Sequence, residues 1–176
     1  MKADHPLLID HFSFDDNRGA MSMPFNDQNK KLFFDYDITL ITRTKKANTV
    51  RGIYYQTGDF KEKKLITCVS GSIFWVSIDM RKDSKTFLLN YPVFLKPTDR
   101  KSYFVPEGFA NGCLILNDNT VCVLASSAVH NEESSIGIHW RDQDLNIDWP
   151  IIKNQEIIIS DQCKNYPTLN YNINKL

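Results

Sequence analysis

The sequence predicts an all-β fold, a barrel or sandwich of short strands. Three observations carry this reading. Runs of roughly four to eight residues rich in Val, Ile, Phe, Tyr and Thr recur along the chain. Clusters of glycine, asparagine and aspartate separate them at fairly regular intervals. No stretch shows the apolar periodicity of a long amphipathic helix, so at most a short helix or two is expected near the termini.

The elements follow in order. The region up to about Lys30 carries Asp15-Asp16-Asn17-Arg18-Gly19, a turn-rich cluster between short apolar stretches. Leu32-Phe33-Phe34 and Tyr36 to Thr42 read as strand, and Lys45 to Asn48 as a polar connector. Val50 to Gln56 is the next strand, closed by Thr57-Gly58-Asp59. Lys64 to Val69 and Ile73 to Met80 flank Ser70-Gly71-Ser72, which reads as a hairpin. After the charged turn Arg81 to Ser84, strands are expected at Thr86–Asn90, Pro92–Lys96 and Tyr103–Val105. Pro106-Glu107-Gly108 reads as a turn at the rim of the fold. Cys113 to Leu116 and Thr120 to Leu124 flank Asn117-Asp118-Asn119, a second expected hairpin. Beyond Leu124 the pattern weakens into polar loops, with Ile157-Ile158-Ile159 near an Asn-rich end.

With 176 residues the chain is expected to form one domain, residues 1–176. Lys+Arg and Asp+Glu both total 21, and no basic stripe supports binding to nucleic acid. No apolar run approaches the roughly 18 residues of a membrane span, and the polar start resembles no signal peptide, so a soluble cytoplasmic protein is expected. The four cysteines lack CxxC spacing; Cys68, Cys113 and Cys122 fall in strand-like runs, where a reduced cysteine acts as a small hydrophobe. The four histidines form no HxH or HExxH pair, so neither a metal nor a cofactor is expected.

Val50 to Gln56 is richer in polar and aromatic chemistry than a plain core strand requires. Arg51 suits bidentate recognition of an anion such as a diphosphate, against the plainer reading of a stem covering apolar surface. Tyr54 and Tyr55 alternate, so they face opposite sides of the strand, and Tyr54 is either a working hydroxyl or a filler. His130 lies in a polar loop, where a histidine is ordinarily solvated.

Several spaced segments together resemble the dTDP-4-dehydrorhamnose 3,5-epimerase family of cupin-type jelly-roll barrels. They are Arg51-Gly52-Ile53-Tyr54-Tyr55-Gln56, Lys64-Leu65-Ile66, and Ile78-Asp79-Met80-Arg81 continuing to Ser84-Lys85-Thr86-Phe87. Pro106-Glu107-Gly108-Phe109-Ala110-Asn111-Gly112, Trp140-Arg141-Asp142 and Ile147-Asp148-Trp149-Pro150 follow in the family's order, and Asn17-Arg18-Gly19 matches an early arginine. The resemblance implies a homodimer that holds a nucleotide-diphosphate sugar in the barrel mouth. It also implies a reaction at carbons made acidic by a 4-keto group: a base removes a proton, a cation steadies the enolate, and an acid returns the proton.

Carried over residue by residue, the resemblance makes Arg18, Arg51, Gln56, Asn111 and Trp140 substrate-binding positions and Lys64 the enolate-stabilising cation. The family's base histidine corresponds to Tyr54, its orienting aspartate to Cys163, its second pocket histidine to Asn111 and its acid tyrosine to Leu124. A phenol titrating near 10 is a poor base at neutrality, and leucine exchanges no proton. Tyr54, with Lys64, Cys163 and His130, is therefore the candidate proton-transfer set. Two functions follow: a nucleotide-sugar epimerase or isomerase of surface-polysaccharide synthesis with altered proton transfer, or a non-catalytic sugar-nucleotide-binding relative or partner of an active epimerase. Trp140 and Trp149 also read as packing residues that anchor the C-terminal segment.

Overall fold

The computed structural model describes residues 3–24 and 36–172. The strand expected at Leu32-Phe33-Phe34 lies outside them. Two antiparallel sheets face each other. One is built from β1 (Leu7–Asp10), β4 (Ile38–Thr44), β6 (Lys64–Ser70), β9 (Lys101–Val105) and β11 (Thr120–Ser126), in the order β1-β9-β6-β11-β4. The other holds β5 (Thr49–Gln56), β7 (Ile73–Asp79), β8 (Asn90–Leu95), β10 (Phe109–Ile115) and β12 (Ser135–Gly137), in the order β12-β5-β10-β7-β8. β13 (Ile158–Ile159) runs parallel to β5, and β2 (Phe12–Asp16) pairs with β3 (Gly19–Met23) as a separate hairpin. Two short helices, α1 (Asp161–Lys164) and α2 (Leu169–Asn172), stand near the C-terminal end.

Period-two alternation sorts the side chains. Ile66, Ile73, Trp75, Leu95, Tyr103, Phe109 and Leu124 fill the space between the sheets. Val50, Ile53, Tyr55, Phe74, Val76 and Leu114 point the other way and are covered by Ile138, Trp140, Leu145 and Leu169. Each fully buried aliphatic side chain contributes about 1.5–3 kcal/mol, so the C-terminal segment is held as firmly as an extra layer. Cys68, Cys113 and Cys122 are buried and unpaired, as expected of small hydrophobes.

Both expected hairpins turn out to be crossings between sheets. β6 and β7 flank Ser70-Gly71-Ser72 yet belong to opposite sheets, as do β10 and β11 around Asn117-Asp118-Asn119. Turn chemistry is satisfied either way: Gly71 and Asn119 adopt φ of 77° and 55°. Alternation does not specify which strand is the neighbour. The strand expected at Thr86–Asn90 is also corrected. Residues 85–88 are turn, because the buried Asp79 carboxylate accepts from the hydroxyls of Ser84 at 2.6 Å and Thr86 at 2.7 Å and bends the chain around itself.

Candidate functional site

β5 positions the site through one irregularity. In a regular strand Arg51 and Tyr54 would face opposite sides. Here the β5–β10 register shifts between Asn111 and Gly112, so that Asn111 opposes Tyr54 while Gly112 opposes Gly52. Gly52 has φ of 92°, and a Cβ there would come within 2.5 Å of the Asn111 carbonyl oxygen. Only glycine fits. The bulge sends Ile53 and Tyr55 to the outer core and leaves Arg51 and Tyr54 together on the inner face.

Around Tyr54 the structure gathers a polar group. Lys64 Nζ lies over the Tyr54 ring, 4.7 Å from its centre. The His130 ring stands edge-on to Tyr54, with centroids 6.0 Å apart. Lys64 is buried and forms an ion pair with Glu62 at 2.6 Å. Burial works against its charge, but Tyr54 and Glu62 outweigh that, and the ammonium is held charged above the ordinary lysine range. Tyr54, Lys64 and His130, predicted from the sequence as a set, are thus brought together.

Cys163 joins this group indirectly. Its helix α1 is capped by Ser160, which accepts from the Cys163 amide at 3.2 Å. Burial, with the Cys163 thiol and Tyr54 nearby, pushes the Tyr166 hydroxyl up to about 12. Tyr166 packs on Gly137, which is paired with Tyr54 across β12–β5; a Cβ on Gly137 would meet the Tyr166 ring at 2.3 Å. Tyr166 and Glu62 are the two neighbours that sequence reasoning missed. Tyr166 lies in an Asn-rich tail, and Glu62 in a charged connector that reads as solvated.

The other predicted positions are more dispersed. Arg51 is exposed toward the start of β5, and its Nε donates to Thr44 Oγ1 at 3.2 Å. Asn111 is buried, and its side-chain oxygen accepts from Trp75 Nε1 at 3.1 Å and Ser77 Oγ at 2.8 Å. Gln56 is tied into the loop after β11: its Nε2 donates to the Phe60 carbonyl and its Oε1 accepts from the Asn131 amide at 2.6 Å. Trp140 lies in the outer core beside Trp149, whose Nε1 donates to the Trp140 carbonyl at 2.8 Å. Arg18 stands at the tip of the β2–β3 hairpin, 83% exposed and paired with Asp16. Leu124 lines the interior and offers no proton.

Among the described residues no group of three or more His, Cys, Asp or Glu side chains is placed to hold a metal ion. No helix there is long and apolar enough to cross a membrane.

Two facing sheets of this kind, with a buried cation, a phenol and an imidazole gathered beside β5, make a cupin-type barrel. Comparison with known proteins narrows it. A family model described as dTDP-4-dehydrorhamnose 3,5-epimerase matches residues 2–171. The dTDP-4-dehydrorhamnose 3,5-epimerase of Methanothermobacter thermautotrophicus is 31% identical over 173 residues, 96% of this chain and 92% of that one. The epimerase of Mycobacterium tuberculosis superposes with a TM-score of 0.92 at 27% identity, covering 99% of this chain and 89% of the other. A Legionella pneumophila 3,5-epimerase solved with dTDP-4-keto-L-rhamnose gives 0.87 at 25% identity, over 97% and 90% of the two chains. The chain belongs to the dTDP-4-dehydrorhamnose 3,5-epimerase family.

Proposed function

We propose that this chain binds a dTDP-linked 4-keto-6-deoxyhexose in the barrel mouth and moves a proton at a carbon beside the keto group. The observation that carries this is the Tyr54–Lys64–His130 group on the inner face that Arg51 shares. Arg51 would hold the diphosphate through its guanidinium. Lys64, kept charged inside the barrel, would take up the enolate oxygen. Tyr54, whose ring centre lies 4.7 Å from that ammonium, is the group that would exchange the proton, with His130 and the Cys163–Tyr166 pair beside it. Gln56 and Asn111 shape the wall, their amides being already engaged, and Trp140 supports it from behind. In D₂O, solvent deuterium should enter the sugar ring of such a substrate; an unlabelled ring would sink the proposal.

A second reading draws on Leu124 and on the saturated amide of Asn111, which leave one wall without an exchangeable proton. On that reading the chain binds the nucleotide sugar without turning it over, alone or beside an active relative. Calorimetry would then show saturable binding, weakened by Arg51→Ala, with no label entering the ring.

We also propose a homodimer. The β2–β3 hairpin carries Phe12, Phe14 and Met21, each at least half exposed, and on β4 Ile41 is 61% exposed. Apolar surface of that kind is ordinarily covered by another chain. Arg18, at the hairpin tip, can serve as a diphosphate ligand only if such an assembly carries it to a barrel mouth. Sedimentation of a monomer at micromolar concentration would exclude this arrangement.

A further inference from the structure

Neither the sequence reading nor the family resemblance gives Glu62 a role. Its side chain is only 10% exposed, against 7% for the lysine it faces. Both carboxylate oxygens are engaged: Oε1 lies 2.6 Å from Lys64 Nζ, and Oε2 accepts from Ser126 Oγ at 2.6 Å. Ser126 is the register partner of Lys64 across β6–β11 and opens the loop that leads to His130. The carboxylate is therefore fixed from two elements. A buried ion pair adds little net stability over an apolar pair of the same size, so stability alone does not account for the two charges here.

Lys64 Nζ also lies over the Tyr54 ring, 4.7 Å from its centre. The ammonium thus has the carboxylate and the phenol ring as its neighbours. We propose that Glu62 is the terminal proton acceptor of a relay running from Tyr54 through Lys64, and that this relay makes Tyr54 a base. The proposal rests on the reading that the chain binds a keto sugar nucleotide.

The step conserves charge. Lys64 passes one ammonium proton to Glu62 Oε1 and takes the Tyr54 phenolic proton onto the same nitrogen. Phenol, ammonium and carboxylate become phenolate, ammonium and carboxylic acid. The phenolate then takes the proton from the carbon beside the keto group, and the C–H electron pair moves into the enolate. Once one proton has passed to Glu62, the lone pair of the nitrogen takes the phenolic proton, and the re-formed ammonium keeps a donor for the enolate oxygen. The relay protons exchange with solvent before return, so the sequence run backwards in D₂O places deuterium on carbon. The other titratable and charged groups around the relay are His130, Tyr166 and Cys163, with Lys63 paired to Glu107 at 3.3 Å next along the chain.

The test follows deuterium exchange into a dTDP-4-keto-6-deoxyhexose by NMR, from about pH 5 to about pH 9, for wild type, Glu62→Gln and Glu62→Asp. Glu62→Gln should slow exchange by about 100-fold or more and abolish the acidic limb of the pH profile, with dTDP affinity unchanged by calorimetry. Glu62→Asp should recover part of the rate. If Glu62→Gln fails to fold, Ser126→Ala takes its place; a shifted acidic limb supports the relay and an unmoved one overturns it. A wild type that exchanges no deuterium overturns the underlying reading of the site. A wild type and a Glu62→Gln variant that exchange equally, with the same profile, overturn the relay alone.

Discussion

Replacing Asp79 by asparagine removes the charge at the best-connected buried carboxylate of the structure. Asp79 is wholly inaccessible to solvent. Its Oδ1 accepts from the Arg81 amide at 3.0 Å and Arg81 Nε at 2.8 Å. Its Oδ2 accepts from Arg81 Nη2, Ser84 Oγ and Thr86 Oγ1 at 2.8, 2.6 and 2.7 Å. An asparagine nitrogen at the Oδ2 position would face three donors and accept from none. Breaking a buried charge pair costs about 3–5 kcal/mol, and the 29% exposure of Arg81 lets water recover part of that, so about 3 kcal/mol is expected. For a chain of this size that lowers Tm by roughly 6–12 °C.

The pH dependence of Asp79→Asn has a definite sign. Burial opposes the Asp79 charge, but the hydrogen bonds from Arg81, Ser84 and Thr86 outweigh it and hold the carboxyl well below the usual range. A depressed folded pKa contributes stability that is fully present above the unfolded value, about 3.9, and is lost as pH falls through the folded one. Thermal unfolding followed by circular dichroism at fixed protein concentration should show a constant gap between wild type and Asp79→Asn from pH 8 down to about pH 5. The gap should then narrow below about pH 4. A loss of less than about 2 °C, or a gap that widens in acid, would refute this account of the turn.

Three further outcomes follow from the same geometry. Gly71→Ala would place a Cβ 2.2 Å from Thr120 Oγ1 at a φ of 77°, and should cost about 1–3 kcal/mol in urea unfolding. Asn48, buried at a φ of 58°, donates to the carbonyls of Ile152, Gln155 and Glu156 and accepts from the Ile152 amide. Asn48→Ala should therefore cost about 3 kcal/mol and raise hydrogen exchange first in residues 150–160. The raised Lys64 pKa contributes stability that is complete below the ordinary lysine value, about 10.4, and is lost as pH rises through the folded one. The urea midpoint of wild type should accordingly fall toward that of Lys64→Met only in strongly alkaline solution.

Strand existence was legible because β-branched and aromatic runs need few long-range facts. Strand partnership was not: Ser70-Gly71-Ser72 serves a sheet-to-sheet crossing as readily as a hairpin. Thr86 to Asn90 reads as strand until the hydroxyls of Ser84 and Thr86 are seen captured by Asp79. Within the site, Tyr54 and Lys64 were found through the matched segments, and His130 only as a loop histidine that could exchange a proton. Their coherence depends on a bulge at Gly52 that no alternation pattern shows. Gln56 and Trp140 were legible as notable residues, but a free and a saturated amide, or a packed and an exposed indole, look alike in sequence. Glu62 was missed because its burial arises from Lys64 and Ser126 closing over it.

The account turns on Tyr54 being the group that moves the proton. Its most direct test compares wild type with Tyr54→Phe, which keeps the ring and removes the hydroxyl, in D₂O with a dTDP-4-keto-6-deoxyhexose. Wild type should take up label, and the variant should lose about 100-fold or more of that rate while binding dTDP as tightly. Exchange by Tyr54→Phe at the wild-type rate would contradict it.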